Sequence, residues 1–452
     1  MDVLNKYSGE KIGQIEILTR EQIDQKITNA SVFFKENKCS EITDRKIWIS
    51  AIINVLTDNK NYLTNLISEE AGKPLFYAKV ELDRCIRTAQ LGLEYFDLIK
   101  PHQISVDLKN TSFESSFTQR FPIGVIFGIS PFNFPLNLAL HKIIPAIATG
   151  NSIIIKPSPL TPLSLNFLIE KVNSSLPSGL LTIVNCSDTD AEYVVKHPLI
   201  KMVTFTGSDK VGWHIKSLIP KKKVTLELGG NAAVYIDRSA HLKGLPLTIA
   251  KAATLYAGQI CISTQRIFVH EEIYNQFKSE LIDAFNSISS GDPKENATNG
   301  PLIDYAHLKR LTDWISDAQE SGAKILCGGN KISEFPPLLS PTLIEGGSAS
   351  MKLFTEEAFG PVAVIQSVTN FQEATEMINN SKYGLQAGIF TNDLQVQNYM
   401  FENLEVGGVI FNGVPGFRKD EMPYGGVKDS GFGREGIFYA MEEMTEIKLG
   451  IR

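Results

Sequence analysis

At 452 residues the chain is too long for one compact hydrophobic core, so two or three domains are expected. Its apolar share of 43% and charged share of 21% are typical of a soluble globular protein. A formal net charge of −6, spread along the chain, disfavours nucleic-acid binding.

The N-terminus is polar, and no apolar run is long enough to cross a membrane, which predicts a cytoplasmic protein without a membrane partner. The five cysteines are scattered, and neither they nor the seven histidines show metal-ligand spacing. This distribution predicts a reducing compartment and no bound metal.

The first hundred residues are predicted to be helical. Thr19 and Gln22 form a capping box at the start of the first helix. Apolar residues then recur at three- and four-residue spacing, which predicts further helices over 45–56, 62–70 and 76–98. Residues 103–121 alternate around turn-formers at Lys109-Asn110, as in a hairpin. Because this hairpin is polar, we expect it to pair with something outside its own domain.

From Gly124 onward, short apolar strands alternate with amphipathic helices. The strands are predicted at 125–129, 152–156, 181–185, 202–205 and 224–228, and the helices at 136–149, 163–175 and 211–218. Continuous buried strands separated by helices indicate a parallel sheet with both faces covered. Such sheets bind ligands at the carboxyl ends of their strands.

A second α/β unit begins after Asn231. Its predicted helices are 247–256, 271–288 and 305–321, and its predicted strands are 266–269, 360–367, 388–390 and 408–412. Residues 411–430 are rich in Gly and Pro and are predicted to be loop, whereas 445–451 alternate as an edge strand does.

Cys261 lies among small, uncharged residues just after Gly258, which allows a sharp backbone turn. A thiol on such a turn can face a cleft together with its own backbone N–H, as a low-pKa nucleophile needs. The alternative is a buried core thiol, which by itself is the commoner case.

Other candidate residues follow predicted strands. Gly207 and Ser208 open a helix whose N-terminus can hold a pyrophosphate, and Lys156 can meet a ribose hydroxyl. Glu227 lies in an apolar setting that should raise its pKa toward that of a general base. Asn133 is a rigid amide donor suited to an oxyanion. Taken singly, a solvated lysine and a turn-capping asparagine are the simpler interpretations.

Together the motifs resemble those of the aldehyde dehydrogenase superfamily, in family order and over essentially the whole chain. They are Pro131-Phe132-Asn133-Phe134-Pro135, Ala148-Thr149-Gly150-Asn151, Ile155-Lys156-Pro157-Ser158, Phe205-Thr206-Gly207-Ser208, Glu227-Leu228-Gly229-Gly230-Asn231, Gly258-Gln259-Ile260-Cys261, Glu356-Glu357-Ala358-Phe359-Gly360-Pro361-Val362 and Pro423-Tyr424-Gly425-Gly426-Val427-Lys428.

The resemblance implies an α/β fold with a Rossmann-type cofactor domain, an α/β catalytic domain and a small β oligomerisation element. The cofactor domain would comprise residues 1–102 and 122–231, and the catalytic domain 232–432. Residues 103–121 and 440–452 would form the oligomerisation strands of a homodimer or homotetramer.

The resemblance also implies site roles. Cys261 would be the nucleophile, Glu227 the base, and Asn133 with the Cys261 N–H the oxyanion hole, while Lys142 and Glu435 match a proton-relay pair. The residues expected to bind the cofactor are Lys156, Ser158, Gly207, Ser208, Leu228, Gly229, Glu357 and Phe359. The residues expected to bind substrate are Arg418, Tyr424 and Phe134, and Arg84 and Arg87 can line the same entrance.

The implied activity is NAD(P)-dependent oxidation of a small aldehyde to the carboxylate, through a cysteine thiohemiacetal and a thioester. Pro159 stands where many NAD-preferring members carry a ribose-binding glutamate, so NAD and NADP both stay open. Nearest is the lactaldehyde, non-phosphorylating glyceraldehyde-3-phosphate and phosphonoacetaldehyde branch. Ile260 stands where enzymes of phosphorylated aldehydes place an arginine, which favours lactaldehyde or a short semialdehyde.

Three alternatives remain. One is oxidation of a phosphorylated aldehyde such as glyceraldehyde-3-phosphate. A CoA-acylating dehydrogenase is disfavoured by Glu227, since CoA-dependent relatives often lack an acid there. A catalytically silent structural homologue is disfavoured because both Cys261 and Glu227 are present.

Overall fold

The structure is a computed structural model that describes residues 1–38, 40–109, 111–295, 297–347 and 351–452. Cys39 and Asn110, the second residue of the predicted 109–110 turn, lie outside the described residues. Among the helices described, none combines the length and the apolar character that a bilayer span requires.

The helices, numbered in chain order, are α1 Arg20–Asn37, α2 Ile42–Asp58, α3 Lys60–Ala71, α4 Leu75–Glu94, α5 Asn137–Thr149, α6 Leu163–Val172, α7 Asp188–Lys196, α8 Asp209–Leu218, α9 Leu245–Thr254, α10 Glu271–Asn286, α11 Tyr305–Glu320, α12 Lys352–Thr355, α13 Phe371–Asn379, α14 Leu394–Asn403 and α15 Ile437–Glu443.

The strands are β1 Asp2–Leu4, β2 Lys11–Gln14, β3 His102–Gln103, β4 Ser116–Pro122, β5 Val125–Ile129, β6 Ser152–Lys156, β7 Leu181–Ile183, β8 Ile200–Thr206, β9 Lys223–Glu227, β10 Ala233–Ile236, β11 Arg266–His270, β12 Lys324–Cys327, β13 Lys331–Ser333, β14 Leu338–Leu339, β15 Thr342–Glu345, β16 Val362–Val368, β17 Tyr383–Gly384, β18 Gln386–Phe390, β19 Gly408–Phe411, β20 Val427–Lys428, β21 Gly431–Phe432 and β22 Thr445–Ile451.

A six-stranded sheet with the order β21-β9-β8-β5-β6-β7 organises the first half of the chain. Its strands are parallel except β21, which runs antiparallel to β9. Apolar side chains of α2, α4, α5 and α6 form one core against this sheet, and those of α1, α7 and α8 form another. Two separate cores agree with the predicted parallel sheet covered on both faces.

A seven-stranded sheet organises the second α/β unit, with the order β12-β15-β16-β11-β10-β18-β19. Only β12 is antiparallel to its neighbour. The cysteine segment enters this sheet directly, since it lies between α9 and β11. It therefore lies at the amino end of β11, and it shares a cavity with residues at the carboxyl ends of strands β8 and β9 of the first sheet.

The predicted hairpin pairs with the end of the chain. Strand β3 is only two residues long and pairs antiparallel with β4, His102 opposite Thr118. Strand β22 pairs with β4 along its whole length, from Thr445 opposite Pro122 to Ile451 opposite Ser116. The sequence predicts that the hairpin pairs with something outside its own domain. Along the free side of β4, that partner is the C-terminal strand β22 of the same chain.

The capping box predicted at Thr19 is confirmed. The hydroxyl of Thr19 accepts a hydrogen bond from the Gln22 N–H at 3.3 Å, and the Gln22 side chain accepts one from the Thr19 N–H at 2.8 Å. In contrast, the sequence prediction missed helix α7. This helix has nine residues and buries only three of them, so its apolar periodicity is too short to stand out.

Candidate active site

The cysteine segment follows an unusual backbone turn. After α9 ends at Thr254, Tyr256, Ala257 and Gly258 all adopt left-handed conformations, with φ of 49°, 52° and 67°. Such a conformation costs a non-glycine residue on the order of 1–3 kcal/mol. The surrounding structure compensates, for the Tyr256 hydroxyl donates to the Ala71 carbonyl at 2.7 Å. The turn is therefore fixed before any substrate arrives.

Cys261 occupies the second position of a tight turn, in which the Ser263 N–H donates to the Ile260 carbonyl at 2.9 Å. This bond leaves the Cys261 N–H outside the turn's own hydrogen bonding. The Asn133 side chain reaches the same segment and donates to the Gln259 carbonyl at 2.9 Å. Because a primary amide has two N–H groups, one remains available beside the thiol.

Buried charges hold the Asn133 turn against α5. The Glu81 carboxylate accepts hydrogen bonds from the N–H groups of Leu136 and Asn137, at 3.1 and 3.2 Å, and forms a buried ion pair with Lys73. The Lys73 ammonium lies 3.9 Å from the centre of the Phe134 ring. These contacts position Asn133 but direct Phe134 toward Lys73.

The thiol of Cys261 is partly buried and contacts Tyr424, whose hydroxyl oxygen lies 3.1 Å from Sγ. The Arg418 guanidinium lies 3.6 Å above the Tyr424 ring. Burial raises the pKa of Cys261 to about 12, although the hydrogen bond to Tyr424 and the charge of Arg418 act in the opposite direction. The sequence predicts an exposed, low-pKa thiolate, whereas burial in the structure favours the protonated thiol.

Glu227 ends strand β9 and lines the same cavity as Cys261. Neither of its carboxylate oxygens has a hydrogen-bond partner among the described residues. Burial and the nearby Glu435 raise the pKa of Glu227 well above its ordinary value. This agrees with the raised pKa predicted from its apolar sequence setting.

Glu435 and Lys142 form an ion pair at 2.7 Å next to Glu227, and the Lys142 ammonium also donates to the Thr206 hydroxyl at 2.6 Å. Arg418 approaches the other Glu435 oxygen at 3.4 Å. Burial opposes the ionisation of Glu435, but Lys142 and Arg418 outweigh it and hold its pKa well below the usual range. The structure thus places the two predicted relay residues in contact, beside the predicted base.

One elongated cavity of about 720 Å³ connects most of the predicted site residues. Those that line it are Asn133, Lys156, Ser158, Gly207, Ser208, Glu227, Leu228, Gly229, Cys261, Glu357 and Phe359. Lys142, Glu435, Arg418 and Tyr424 are not among the lining residues, but Lys142 contacts the lining residue Thr206 and Tyr424 contacts Cys261. Phe134 is not among the lining residues.

The middle of the cavity fits a dinucleotide. Ser208 is the N-cap of α8, so the positive end of this ten-residue helix faces the cavity. Gly229 lies so close to Glu357 that a Cβ there would be 2.7 Å from a carboxylate oxygen. The other Glu357 oxygen accepts from the Gly230 N–H at 2.9 Å, and burial raises the Glu357 pKa to about 7. An anion cradle and a hydroxyl-binding carboxyl group therefore share one cleft.

Several lining residues were not predicted from the sequence. At one end, the Lys156 ammonium lies 3.6 Å from the carboxylate of Asp188, the first residue of the missed helix α7. Near Cys261, His307 lies edge-on to the Phe132 ring at 6.1 Å. Arg310 donates to the carbonyl oxygens of Glu357 and Ala358. Isolated charged residues on amphipathic helices carry no sequence signal for such positions.

The guanidinium groups of Arg84 and Arg87 already form ion pairs with carboxylates of the protein. Arg84 donates to both carboxylate oxygens of Asp420, at 2.7 and 3.1 Å, and Arg87 pairs with Glu94 and Glu421. These ion pairs fasten the loop that carries Arg418 onto helix α4. The suggestion that both arginines face the substrate entrance is therefore not supported, and their role is structural.

Comparisons with known proteins match this geometry. A model of the aldehyde dehydrogenase family matches residues 1–449. The 3-sulfolactaldehyde dehydrogenase of Priestia aryabhattai is 35% identical over 453 residues, covering 99% of this chain and 94% of that protein. The lactaldehyde dehydrogenase of Methanococcus maripaludis is 37% identical over 455 residues, covering 99% and 96%.

Solved structures agree over the whole chain. Aldehyde dehydrogenase 21 from Physcomitrella patens, in complex with the reaction product succinate, has a TM-score of 0.96 and 36% identity, covering 100% of this chain and 94% of that one. The glyceraldehyde-3-phosphate dehydrogenase GapN from Methanocaldococcus jannaschii, complexed with NADP, has a TM-score of 0.94 and 36% identity, covering 100% and 98%.

Proposed function

The chain belongs to the aldehyde dehydrogenase family and is an NAD(P)-dependent enzyme, and from that premise we propose that it oxidises a short aldehyde bearing a hydroxyl or one anionic group. Lactaldehyde and small semialdehydes are the substrates of this kind that fit best. The observation that carries the proposal is the buried Arg418 guanidinium beside Tyr424 and Cys261.

Acylation begins at Cys261. The thiol first loses its proton to solvent water, the Sγ thiolate then attacks the aldehyde carbon, and the carbonyl oxygen becomes an oxyanion. The free N–H of Asn133 and the backbone N–H of Cys261 hold this oxyanion, and losing one such donor typically costs about 3–4 kcal/mol of barrier. The Tyr424 hydroxyl, 3.1 Å from Sγ, donates to the developing thiolate.

The residues that line the cavity indicate how it would hold the cofactor. Lys156 and Glu357 would hold ribose hydroxyls, Ser208 and the start of α8 would hold a phosphate, and Phe359 would pack near the nicotinamide ribose. When bound, the oxidised nicotinamide would supply the hydride acceptor. Cys261 would hold the substrate as a thiohemiacetal before this oxidation and as a thioester after it.

Deacylation then depends on Glu227. Its unpaired, buried carboxylate takes a proton from water, and the resulting hydroxide attacks the thioester carbon. The C–S bond breaks, the Cys261 thiolate is released, and the product leaves as a carboxylate. The Lys142–Glu435 pair beside Glu227 offers the route by which its proton is returned to solvent.

The substrate's far end is assigned to Arg418. Its side chain is 9% exposed, and its Nε has no hydrogen-bond partner among the described residues. A buried donor without an acceptor is costly, so an incoming oxygen is strongly favoured there. Ile260 adds no charge nearby, and one arginine suits one carboxylate, sulfonate or hydroxyl better than a phosphate dianion. The substrates named for the relatives, lactaldehyde and 3-sulfolactaldehyde, support this size and charge.

The test compares an aldehyde panel between wild type and Arg418→Ala. Lactaldehyde, succinic semialdehyde, 3-sulfolactaldehyde, glyceraldehyde-3-phosphate and propanal are assayed for kcat/KM. For the anionic aldehydes, the value relative to propanal should fall by about ten- to a hundredfold in the variant, as expected for a charged hydrogen bond. The ratio to propanal cancels any effect of Arg418 on Glu435.

Arg87→Ala is the matched control, because it removes an arginine that contacts the same loop through Glu421 but is held by surface ion pairs. It should leave the ratios unchanged. Equal losses on propanal and on anionic aldehydes would remove Arg418 from the substrate site. If wild type strongly prefers glyceraldehyde-3-phosphate, the phosphorylated-aldehyde alternative replaces this proposal.

A further inference from the structure

The cofactor cavity carries an acidic side chain at the end remote from Cys261. We propose that Asp188 makes the enzyme select NAD over NADP, because its carboxylate accepts a hydrogen bond from the free 2′-hydroxyl of the adenosine ribose and repels a 2′-phosphate. This inference rests on the proposed placement of the cofactor in the cavity.

Lys156 and Asp188 lie close together because they belong to neighbouring parallel strands. Strands β6 and β7 pair with Ile155 opposite Ile183; Lys156 ends β6, Asp188 begins α7 shortly after β7, and both line the cavity. The Lys156 side chain is only 6% exposed, whereas that of Asp188 is 98% exposed. Lys156 is thus a fixed ammonium, and the carboxylate 3.6 Å away keeps most of its lone pairs open to a ligand.

Such a pair suits a ribose. A sugar hydroxyl accepts from an ammonium and donates to a carboxylate, so a vicinal diol satisfies both groups at once. A carboxylate in contact with the 2′-hydroxyl is the usual device of NAD-binding Rossmann-type sites. Here the carboxylate comes from the start of α7, while the position of Pro159 has none.

An apolar pocket lies beside this pair. It is formed by the facing sides of α7 and α8 and is suited to a flat purine ring. Its lining residues are Ala191, Val195, Val211, Ile215 and Leu218. A purine pocket directly next to a lysine–aspartate pair is the arrangement that adenosine requires.

The charge at this end opposes a phosphate. Glu192 also lines the cavity and is balanced by Lys196 and His214. Among the described residues that line the cavity, Arg310 is the only arginine, and its guanidinium is held by the carbonyl oxygens of Glu357 and Ala358. Both cationic side chains that line this end already have an acidic partner, Lys156 in Asp188 and His214 in Glu192, so a 2′-phosphate would meet a carboxylate beside each of them.

The test measures binding and turnover separately. Calorimetric titration gives the Kd of NAD and of NADP for wild type and Asp188→Asn, and kcat/KM is determined with each cofactor. Wild type should bind NAD more tightly than NADP. In Asp188→Asn the NAD-to-NADP preference should fall by about ten- to a hundredfold in both measurements, since a charged hydrogen bond is lost and a repulsion is removed.

Asp190→Asn is the matched control. It removes the same charge two residues further along α7, but its carboxylate holds Arg20 and Ser187 and does not line the cavity. This variant should keep the wild-type preference. A preference unchanged by Asp188→Asn, or a wild type that binds NADP more tightly, would overturn the inference.

A third variant, Lys156→Ala, distinguishes a wrong role for Asp188 from a wrong placement of the cofactor in the cavity. Loss of the fixed ammonium should weaken both cofactors. If Lys156→Ala changes the binding of neither, the cofactor does not occupy this cavity, and the proposed site is wrong before the role of Asp188 arises.

Discussion

Glu227 and Glu435 are neighbouring carboxyl groups that the protein drives to opposite states of ionisation. Both are buried, so desolvation acts on each in the same direction. The difference comes from partners: Glu435 has Lys142 and Arg418 within ion-pair distance, whereas Glu227 has no hydrogen-bond partner among the residues described. Glu435 is therefore the fixed charge, and Glu227 the group free to exchange a proton.

The raised pKa of Glu227 predicts a pH dependence. Below this pKa the carboxyl is protonated and cannot accept a proton from water, so deacylation is slow. Steady-state turnover should therefore rise with pH, and this rise should lie well above the range in which an ordinary glutamate titrates. Glu227→Gln should keep the shape but give one burst of reduced cofactor, about equal to the enzyme concentration, before slow turnover. Stopped-flow absorbance of the reduced cofactor measures the burst.

Cys261→Ala is the control for that experiment and should show no burst at all, since no thiohemiacetal can form. If Glu227→Gln turns over at the wild-type rate with the same pH profile, water is activated by another group.

At the residue scale, the sequence predicts which residues gather at the candidate site better than it predicts which residues contact one another there. Cys261, Asn133 and Glu227 follow short motifs whose backbone geometry is local, and the structure brings all three to one cavity. The contact of Tyr424 with Sγ joins residues 163 positions apart, so no local pattern encodes it. Desolvation of the thiol also depends on residues distant in the sequence. For this reason the pKa of Cys261 is raised in the structure, whereas the sequence predicts a lowered pKa.

At the scale of elements, the cysteine turn is held by a second strained loop. Phe359 adopts φ of 47°, and the next residue, Gly360, presses its carbonyl against Gly258. A Cβ at Gly258 would lie 2.0 Å from that oxygen, and Gly258 itself has positive φ. The nucleophile and the Glu357–Phe359 part of the cofactor cleft therefore fix each other's position.

Gly258→Ala should damage both stability and catalysis. The left-handed conformation costs about 1–3 kcal/mol, and the clash adds a comparable amount of overpacking. Displacing Cys261 by about 1 Å should lower kcat/KM roughly a hundredfold. Thermal unfolding and steady-state kinetics measure the two effects.

Gly322→Ala separates strain from clash, because Gly322 has φ of 94° but no atom within 4 Å of its would-be Cβ. It should lose some stability and keep full kcat/KM. A fully active Gly258→Ala enzyme would show that the two loops are independent.

Elements with long apolar periodicity are predicted well from the sequence, and those without it are not. The bounds of α5 differ by one residue from the prediction, and β22 agrees completely. Helix α7 is missed because its three buried residues are too few to show a helical periodicity. Asp188 begins this helix, so its position in the cavity is missed as well.

At the scale of the whole molecule, the three-stranded sheet exposes apolar side chains. Ile447, Leu449 and Ile451 alternate along β22 and are 58%, 55% and 41% exposed. Alternate residues of a strand share one face, so these three form an apolar stripe. Apolar patches of this kind mark protein–protein contacts, which supports the expected homodimer or homotetramer.

The double variant Ile447→Glu, Leu449→Glu should therefore form a smaller assembly than wild type, as measured by size-exclusion chromatography with light scattering. Lys448→Glu, which reverses a charge on the opposite face of β22, should leave the mass unchanged. A wild type that is monomeric at micromolar concentration would contradict the expectation.

The position of α15 also has a consequence for how the protein is made. Ile437, Met441 and Met444 pack into the same core as Ile126 and Ile153. The core of the first sheet therefore cannot be completed until nearly the last residues have been synthesised. Translation at about 5–20 residues per second leaves on the order of 15–60 s between β6 and α15. Throughout that interval this core lacks the side chains of α15, so we expect the nascent chain to expose apolar surface and to be prone to aggregation.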